Sequence, residues 1–343
     1  MVKLKQIPED FVVEEIFREL FFRGGNYSYF WMNKKNISTH DAIEIIARKL
    51  GLTARDIGFA GSKDKKAVTS QMISIRGKFS KDISGKNLEC KFKGFLDEPI
   101  SLGEHEGNCF KITLRDIAPF EADIISKNEE RLRYLDNMLP NYFDEQRFSS
   151  SNVDIGIFLM KKNYDEVVRL LEAHSHMSEE LKKYLLDHPH DYVGALRRIP
   201  KRMLMLYVHS VQSHFFNELA TATLEDLRGA SVPYSRGNFL FPAEQAEQKE
   251  ITVPGFSVED DSSVKELLSR HGISEEDFIN RSLPQLSAES SKRKLLMKVM
   301  DFTISKFEDD ELNFGKKKAL ISFCLPKGSY ATIVCKFLTA PYD

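Results

Sequence analysis

The sequence has 343 residues, of which 42% are hydrophobic, and it contains 25 Phe and 11 Tyr. This length is typical of about two domains that each bury a core, and the apolar content excludes an intrinsically disordered chain. The formal net charge of −2 argues against a protein that binds nucleic acid through a uniformly basic surface.

The first part of the chain alternates between strand and helix patterns. β-Branched and aromatic residues predict strands at 11–16 and 27–32. A helix-period apolar stripe predicts a helix that Ser38 or Thr39 can cap and that Gly51 ends. The remaining elements predicted before residue 140 are strands at 71–77, 88–96 and 109–116 and a helix over 121–139.

A serine run at 149–151 precedes a section of different composition. Helical patterns dominate there, and Gly and Pro interrupt them in the middle; the helical stretches are 165–173, 179–188 and 202–227. The strand pattern returns at 319–325 and a helix closes the chain. Because the two ends of the chain are alike and the middle differs, we expect one domain, formed by 1–148 and 298–343, into which a second domain, 149–297, is inserted.

One acidic residue, Asp64, lies among Lys63, Lys65 and Lys66 after a glycine turn in GFAGSKDKKAVTSQ at 58–71. Neighbouring cations favour the ionised form of a carboxylate. Such a carboxylate suits a nucleophile, a base or a loop beside phosphates, and it also suits an ordinary exposed turn. The two glycines lie three residues apart and an acid follows the lysine, so the stretch does not fit a Walker phosphate loop.

Other catalytic patterns are missing from the sequence. It contains no H-E-x-x-H motif and no G-x-S-x-G motif, and its paired histidines lie in polar helical stretches. A nucleotide hydrolase would need a metal or phosphate site that these patterns do not provide.

Four further stretches each fit a simple structural explanation when taken singly. PEDFVVEE at 8–15 fits an edge strand, GNCFKITLRD at 107–116 a strand, NYFDEQRF at 141–148 a helix exit, and LPKGSYAT at 325–332 a turn before a helix. Together with the K-D-x-x-A-V-T-x-Q core at 63–71, and in this order, they are typical of one family. The chain resembles the TruD family of tRNA pseudouridine synthases.

The resemblance implies an α/β (α+β) fold of the pseudouridine synthase type. Such a fold has a mixed, mostly antiparallel sheet flanked by helices, interrupted here by a TruD-type insertion domain at 149–297, with RNA held between the two domains. The resemblance also implies the reaction, in which uridine in tRNA becomes its C-glycoside isomer, pseudouridine. The usual target is uridine 13 of the D arm, and the reaction needs no cofactor and no metal.

The resemblance assigns Asp64 as the catalytic aspartate. It could attack the ribose C1′, add to C6 of the uracil, or remove the 2′ proton to give a glycal, and the sequence does not choose among these routes. The target base must leave its stack to be reached. Phe11, Phe143 and Tyr330 are carried over as stacking partners, and Asn141 as a hydrogen-bonding partner of the uracil edge or of Asp64.

Four charged residues are expected to support this site. Lys63 is the sequence neighbour of Asp64, and Lys5 or Arg147 could be its closer ion-pair partner in space. Lys5 and Glu9 lie in one block and are expected to pair with each other. A positive, partly dry site would also stabilise a departing uracil that carries anionic character.

The expected partner is tRNA, bound through local basic faces of a nearly neutral chain. Between Gly51 and Lys93 there are ten Lys/Arg against four Asp/Glu, and GKKK at 315–318 adds a second cluster. We expect a monomer with no protein partner and no membrane association. The alternative function is a non-catalytic RNA-binding or tRNA-folding protein on the same scaffold.

The cysteines and the N-terminus bear on the compartment. Cys90, Cys109, Cys324 and Cys335 are scattered and form no C-x-x-C pair, so their spacing indicates neither a zinc site nor a disulfide framework. The N-terminus lacks the apolar core of a signal peptide, and no apolar stretch approaches the roughly 20 residues of a spanning helix. We therefore expect a cytoplasmic protein in a reducing compartment.

Overall fold

The computed structural model describes residues 2–149, 151–174, 177, 179–257 and 261–342. The chain divides into two compact units. Unit 1 comprises Met1–Arg133 with Lys298–Thr339, and unit 2 comprises Tyr134–Met297 with Ala340–Asp343. The assignment of 149–297 as an insertion domain stays a prediction. Among the helices of the described ranges, none is long and apolar enough to cross a membrane.

Strands and helices follow one another throughout the chain. The first elements are β1 (Phe11–Ile16), β2 (Tyr27–Lys35), α1 (Thr39–Leu50), β3 (Ile57–Phe59), β4 (Val68–Arg76), β5 (Ile83–Gly85), β6 (Leu88–Leu96), β7 (Gly107–Ile117) and α2 (Pro119–Tyr134). The next are β8 (Met138–Pro140), α3 (Asn152–Met160), α4 (Tyr164–Ala173), α5 (Glu179–Asp187), α6 (Tyr192–Leu196), α7 (Lys201–Leu224), β9 (Gly229–Tyr234), β10 (Gly237–Pro242), β11 (Glu250–Val253) and α8 (Ser262–Arg270). The last are β12 (Ser291–Lys294), β13 (Leu296–Lys298), β14 (Met300–Ile304), β15 (Glu308–Asp309), β16 (Lys317–Pro326) and α9 (Ala331–Leu338).

Unit 1 is built on one mixed sheet. Its strand order is β14-β16-β7-β1-β4-β2-β6-β5, with β15 paired to β16 and β3 paired to β4. β1 and β4 run parallel, with Val12 opposite Val68. The other described pairs in this sheet run antiparallel. The predicted mixed, mostly antiparallel sheet is therefore confirmed.

Helix α1 shows how the sequence sets these elements. The Ser38 side chain accepts a hydrogen bond from the backbone N–H of Asp41, and Gly51 ends the helix in a left-handed conformation at φ +70°. Of the two predicted caps, Ser38 is the one that forms. The apolar stripe of the helix, which includes Ile43 and Ile46, packs in a buried core with residues of β2, β4 and β6.

The predicted helix over 121–139 is wrong at its C-terminal end. α2 ends at Tyr134 and is followed by the short strand β8. Asp136 and Asn137 both have positive φ, at 52° and 56°, a conformation that Asp and Asn tolerate better than most residues. Two successive left-handed residues end the helix although the sequence pattern continues.

Unit 2 contains more strand than its sequence suggested. α3, α4, α7 and α8 share a buried core. β9 and β10 form a hairpin, and β11 pairs with β12 across 37 intervening residues or more. β9, β10 and β11 fall where Gly and Pro interrupt the helical pattern, so the sequence marked the interruption but not the strands.

The expectation that the cysteines form no disulfide is wrong. Cys109 in β7 and Cys324 in β16 lie directly opposite each other and form a disulfide. The two residues are 215 positions apart, and only the antiparallel pairing of the two strands brings them together. Disulfides are typical of oxidising compartments, so cysteine usage no longer supports the predicted reducing compartment.

Candidate active site

Asp64 lies in the loop 60–67 that joins β3 to β4, called here the Asp64 loop. The strand before it requires a glycine, because a Cβ at Gly58 would lie 2.4 Å from the carbonyl oxygen of Ile100 and 2.6 Å from the Ser74 Oγ. This close approach fixes the end of β3 and therefore the start of the loop.

Two buried polar side chains hold the backbone of the Asp64 loop. The Lys63 N–H donates to the Thr39 Oγ1 at 2.9 Å, and the Gln71 Nε2 donates to the Gly61 carbonyl at 2.9 Å. The Thr39 hydroxyl in turn donates to the Gln71 Oε1 at 3.2 Å. Thr39 begins α1 and Gln71 lies in β4, so the loop is tied to both elements.

A buried lysine makes a third tie. Lys34 is only 2% exposed, and its ammonium donates to the carbonyls of Ile37 and Asp64, each at 2.8 Å, and to that of Lys63 at 3.4 Å. Burial lowers the pKa of the Lys34 ammonium to about 8, and the Asp64 carboxylate partly offsets that effect. The charge of Lys34 thus acts directly on the backbone of Asp64, the candidate catalytic residue.

Lys63 points into unit 1. Its ammonium pairs with the Glu15 carboxylate at 2.6 Å, and both side chains are buried. The second oxygen of Glu15 accepts the Met72 N–H at 3.1 Å. Lys63 is therefore an anchor of the loop, and its charge is matched by Glu15.

Asp64 points the other way. Its side chain is 43% exposed, and it forms an ion pair with Lys5. The Lys5 ammonium also lies 3.9 Å from the ring centroid of Phe11, which is itself only 4% exposed. The structure brings these three predicted residues together, with Lys5 between the carboxylate and the aromatic ring.

The expected pair between Lys5 and Glu9 is wrong. Glu9 forms its ion pair with Lys35 at the surface, and that contact lowers the pKa of the Glu9 carboxyl. Lys5 has a left-handed backbone at φ 56° and does not belong to a strand or helix. It reaches Asp64 instead.

Tyr330, the remaining predicted residue of unit 1, is the N-cap residue of α9. Its backbone is extended and its side chain is half-buried. The chain enters it from the turn after β16, where the Lys327 N–H donates to the Glu106 carbonyl at 2.9 Å. Its role toward a substrate stays a prediction.

In unit 2 an arginine joins two of the predicted residues. The Arg293 guanidinium donates to the Asn141 Oδ1 at 2.7 Å and to the Asn141 carbonyl at 3.0 Å. The same guanidinium lies 4.1 Å from the ring centroid of Phe143, which is half-buried. Asn217 holds the Phe143 backbone through both its N–H and its carbonyl. Arg147 lies farther from the Phe143 ring, at 5.9 Å.

Among the charged residues that hold these two groups, sequence reasoning missed Lys34, Glu15 and Arg293. Lys34 is one of two lysines that end β2, and Arg293 is the middle residue of K-R-K at 292–294. Both therefore looked like solvating charges. Glu15 is the penultimate residue of β1, beside Glu14, and only its burial distinguishes it.

The group in unit 1 has the properties that breaking the bond between a base and its ribose requires. A carboxylate that is partly open to solvent can act as nucleophile or base. An ammonium held beside it can stabilise negative charge on a departing ring. The ties to buried side chains keep the loop in place, which is what a preorganised site needs.

The chain is similar to proteins of one family. The family model described as tRNA pseudouridine synthase D (TruD) matches residues 1–184, 157–253 and 250–338. A relative from Methanocaldococcus jannaschii, named probable tRNA pseudouridine synthase D 2, is 31% identical, and the match covers 98% of this chain and 91% of the relative. The tRNA pseudouridine synthase D of Aquifex aeolicus is 28% identical over 98% of each chain.

A solved structure agrees with these relatives. The crystal structure from Methanosarcina mazei assigned as tRNA pseudouridine synthase D (TruD) matches with a TM-score of 0.69 at 26% identity. The match covers 98% of this chain and 93% of that chain. The fold and these matches thus define a pseudouridine synthase, an isomerase that acts on uridine in RNA. The chain belongs to the TruD family of tRNA pseudouridine synthases, as its motifs predicted.

Proposed function

We propose that this protein converts uridine 13 in the D arm of tRNA to pseudouridine and that Asp64 is its catalytic residue. The observation that carries the proposal is the Asp64 carboxylate, 43% exposed and paired with Lys5, on a loop whose backbone is tied to buried polar side chains. Membership of the TruD family, which acts on tRNA, supports the substrate class.

The chemistry breaks the N-glycosidic bond, turns the base, and joins C5 to the ribose C1′. Asp64 can start it by attacking C1′, by adding to C6, or by taking the 2′ proton, and each route needs the ionised carboxylate. The Lys5 ammonium forms an ion pair with that carboxylate in the free enzyme. During the reaction it can stabilise negative charge on the uracil as that charge develops.

The target base is proposed to leave its stack before it reacts, because C1′ and C6 are inaccessible in a folded arm. Phe143 and Tyr330 are half-buried, so part of each side chain is open to solvent in its own unit. Phe11 is nearly covered and carries Lys5 on its ring, so it contacts a base only when Lys5 moves. We therefore assign Phe143 and Tyr330 to stacking and Phe11 first to positioning Lys5.

Asn141 has a different part in the proposal. Its side-chain oxygen accepts from Arg293, and its Nδ2 donates to the Lys294 carbonyl at 3.2 Å. These bonds fix Asn141 and, through it, the guanidinium over Phe143. Asn141 is proposed to bind substrate together with Arg293, and Arg147 to support them. The protein is proposed to act as a cytoplasmic monomer that needs no metal or cofactor for turnover.

The test maps the product within the tRNA. An unmodified tRNA transcript and the same transcript with cytidine at position 13 are incubated with the wild type, with Asp64→Asn and with the control Asp97→Asn, which removes an exposed carboxylate of the same unit. Pseudouridine is located by primer extension after carbodiimide treatment. Only the wild type and the control should give a stop at position 13, and only on the unaltered transcript. A stop at another position would contradict the target, and a stop with Asp64→Asn would contradict the catalytic role.

A further inference from the structure

A cluster of three metal-ligating side chains lies in unit 2, outside the candidate active site. His214 and Glu218 are four residues apart on α7, so their side chains share one face of the helix. His271 follows the last residue of α8. One ligand atom from each of the three residues lies within 4.8 Å of the other two.

The contacts inside the cluster are direct. The Nε2 of His214 lies 2.9 Å from a carboxylate oxygen of Glu218, and the Nε2 of His271 lies 3.0 Å from the same oxygen and 3.1 Å from the other. In a tetrahedral zinc site with bonds of about 2.0–2.2 Å, neighbouring ligand atoms are ~3.3–3.6 Å apart. Each imidazole Nε2 thus needs to separate from the Glu218 carboxylate by only about half an ångström to admit an ion, and all three ligand atoms already lie within 4.8 Å of one another.

We propose that His214, Glu218 and His271 form a binding site for one divalent transition-metal ion of the zinc type. Two imidazole nitrogens and one carboxylate favour Zn²⁺, Co²⁺ or Ni²⁺ over Mg²⁺ and Ca²⁺, which prefer oxygen ligands. Three protein ligands leave a fourth position for water. About a quarter of each of the Glu218 and His271 side chains is exposed, so an ion and a water molecule have access.

The surroundings hold two of the ligands in place. His214 is buried, and its ring lies 6.3 Å from that of Phe148. The His271 ring lies 4.8 Å from that of Phe215. These aromatic neighbours limit the motion of both imidazoles, so the two Nε2 atoms stay directed at Glu218.

The tautomer of His214 does not prevent binding. Its Nδ1 is buried and has no hydrogen-bond partner among the described residues. No second partner therefore fixes the proton on Nε2. The proton can move to Nδ1, which leaves the Nε2 lone pair for the ion without loss of a net proton from the ring.

An ion at this position would join α7 to the end of α8. Binding to the folded state alone stabilises that state by mass action. The site would therefore contribute to the stability of unit 2. None of its ligands is assigned to contact the uridine, so this inference does not depend on the proposed catalytic role of Asp64.

The experiment uses the full chain after removal of metal with a chelator. Co²⁺ is titrated in while its visible absorption is recorded, and Zn²⁺ affinity is measured in competition with a chromophoric chelator. The variants are His271→Ala and Glu218→Gln, which keep the buried His214, and the control is His190→Ala, an exposed histidine of the same unit. Circular dichroism checks that each variant is folded.

The wild type and the control are expected to bind one equivalent of Co²⁺ and of Zn²⁺. Each should show a higher melting temperature with Zn²⁺. Both ligand variants should bind about 100-fold more weakly and lose the shift, since even removal of an outer-shell partner weakens metal binding 10–100-fold. No stoichiometric binding by the wild type, or equal binding by a folded ligand variant, would overturn the proposal.

Discussion

At the scale of residues, two sequence neighbours have opposite orientations. Lys63 points inward to Glu15, while Asp64 points outward to Lys5, which is 59 positions away in the chain. Lys63 therefore anchors the loop, although it is the sequence neighbour of Asp64. Lys5, which precedes β1, pairs with the Asp64 carboxylate. Local charge density around a carboxylate does not identify its partner.

The first prediction concerns Lys5. Lys5→Met removes the ammonium beside Asp64, and we expect the single-turnover rate to fall about 100-fold, as when one stabilising donor is removed from an active site. Lys5→Arg should recover part of the rate because it keeps the charge, although its planar fork differs from an ammonium. tRNA affinity, measured by filter binding, should change far less than the rate. A Lys5→Met enzyme with the wild-type rate would show that Asp64 acts without this partner.

The second prediction concerns Lys34 and pH. As pH rises through about 8, the Lys34 ammonium becomes an amine with two hydrogens for three carbonyl acceptors. The backbone of Asp64 is then held less firmly, so the single-turnover rate should decline above about pH 8. Lys34→Met should have a lower rate and should lack this decline. A decline of the same size in Lys34→Met would assign it to another group; the charged neighbours that act on Lys34 are Asp64, Lys63 and Asp41.

Through Lys34, the free energy of unfolding should rise with pH, whereas the single-turnover rate should fall. The folded pKa of about 8 lies below the ordinary value of 10.5, so between these values the unfolded state binds more protons than the folded state. The Lys34 contribution to the free energy of unfolding therefore rises with pH across this window, by roughly 3 kcal/mol in total. Urea unfolding of the wild type and of Lys34→Met at several pH values measures it as the difference between the two proteins.

At the scale of elements, the Asp64 loop has little regular structure of its own and depends on β1, β2, α1 and β4. Glu15, Lys34, Thr39 and Gln71 each come from one of these elements. All four are polar or charged and all four are buried. Buried polar groups are costly when unpaired, so the elements and the loop stabilise one another only as a set.

The third prediction tests that dependence. Glu15→Gln leaves the buried Lys63 ammonium without its charge partner, and we expect the free energy of unfolding to fall by about 3–5 kcal/mol. The double variant Glu15→Gln/Lys63→Met should lose less than the single variant, because it removes the unpaired charge as well. As a control, Lys35→Met breaks the exposed pair with Glu9 and should change stability little. Equal stability of Glu15→Gln and the wild type would show that the pair is not a structural anchor.

Elements defined by local chemistry could be predicted, and those that depend on distant partners could not. The cap and apolar stripe of α1 are readable from neighbouring residues, and β1 has its predicted bounds. The disulfide and the β11–β12 pair join residues far apart in the chain, so spacing along the sequence did not reveal them. In the candidate site, motif resemblance supplied Asp64 and Lys5, whereas Lys34 and Glu15 are identified by burial alone.

At the scale of the whole molecule, part of the local positive charge is already paired with acids. Two lysines of the GKKK cluster are paired with acids, Lys317 with Asp309 and Lys318 with Glu311. Lys65 and Lys66, in the Asp64 loop, are exposed. The formal charge of a stretch therefore overstates what it offers to a phosphate backbone.

The fourth prediction follows from the contrast between exposed lysines and lysines paired with acids. tRNA binding should weaken with salt, because each phosphate contact releases counterions. Lys65→Ala/Lys66→Ala should reduce the slope of log K against log salt by about 1–2, roughly one for each lost phosphate contact. Lys317→Ala/Lys318→Ala, which removes paired lysines, should change the slope less. Fluorescence anisotropy with labelled tRNA measures both, and a larger effect of the second pair would contradict the prediction.

The most direct single test is tritium release from a tRNA transcript that carries 5-³H-uridine. Forming the new bond at C5 expels that hydrogen, so release reports the isomerisation and not binding. The wild type and Asp97→Asn should release tritium, and Asp64→Asn should release none while it keeps its affinity for tRNA. Release by Asp64→Asn at the wild-type rate would contradict the catalytic role of Asp64, and binding without release by the wild type would favour the non-catalytic alternative.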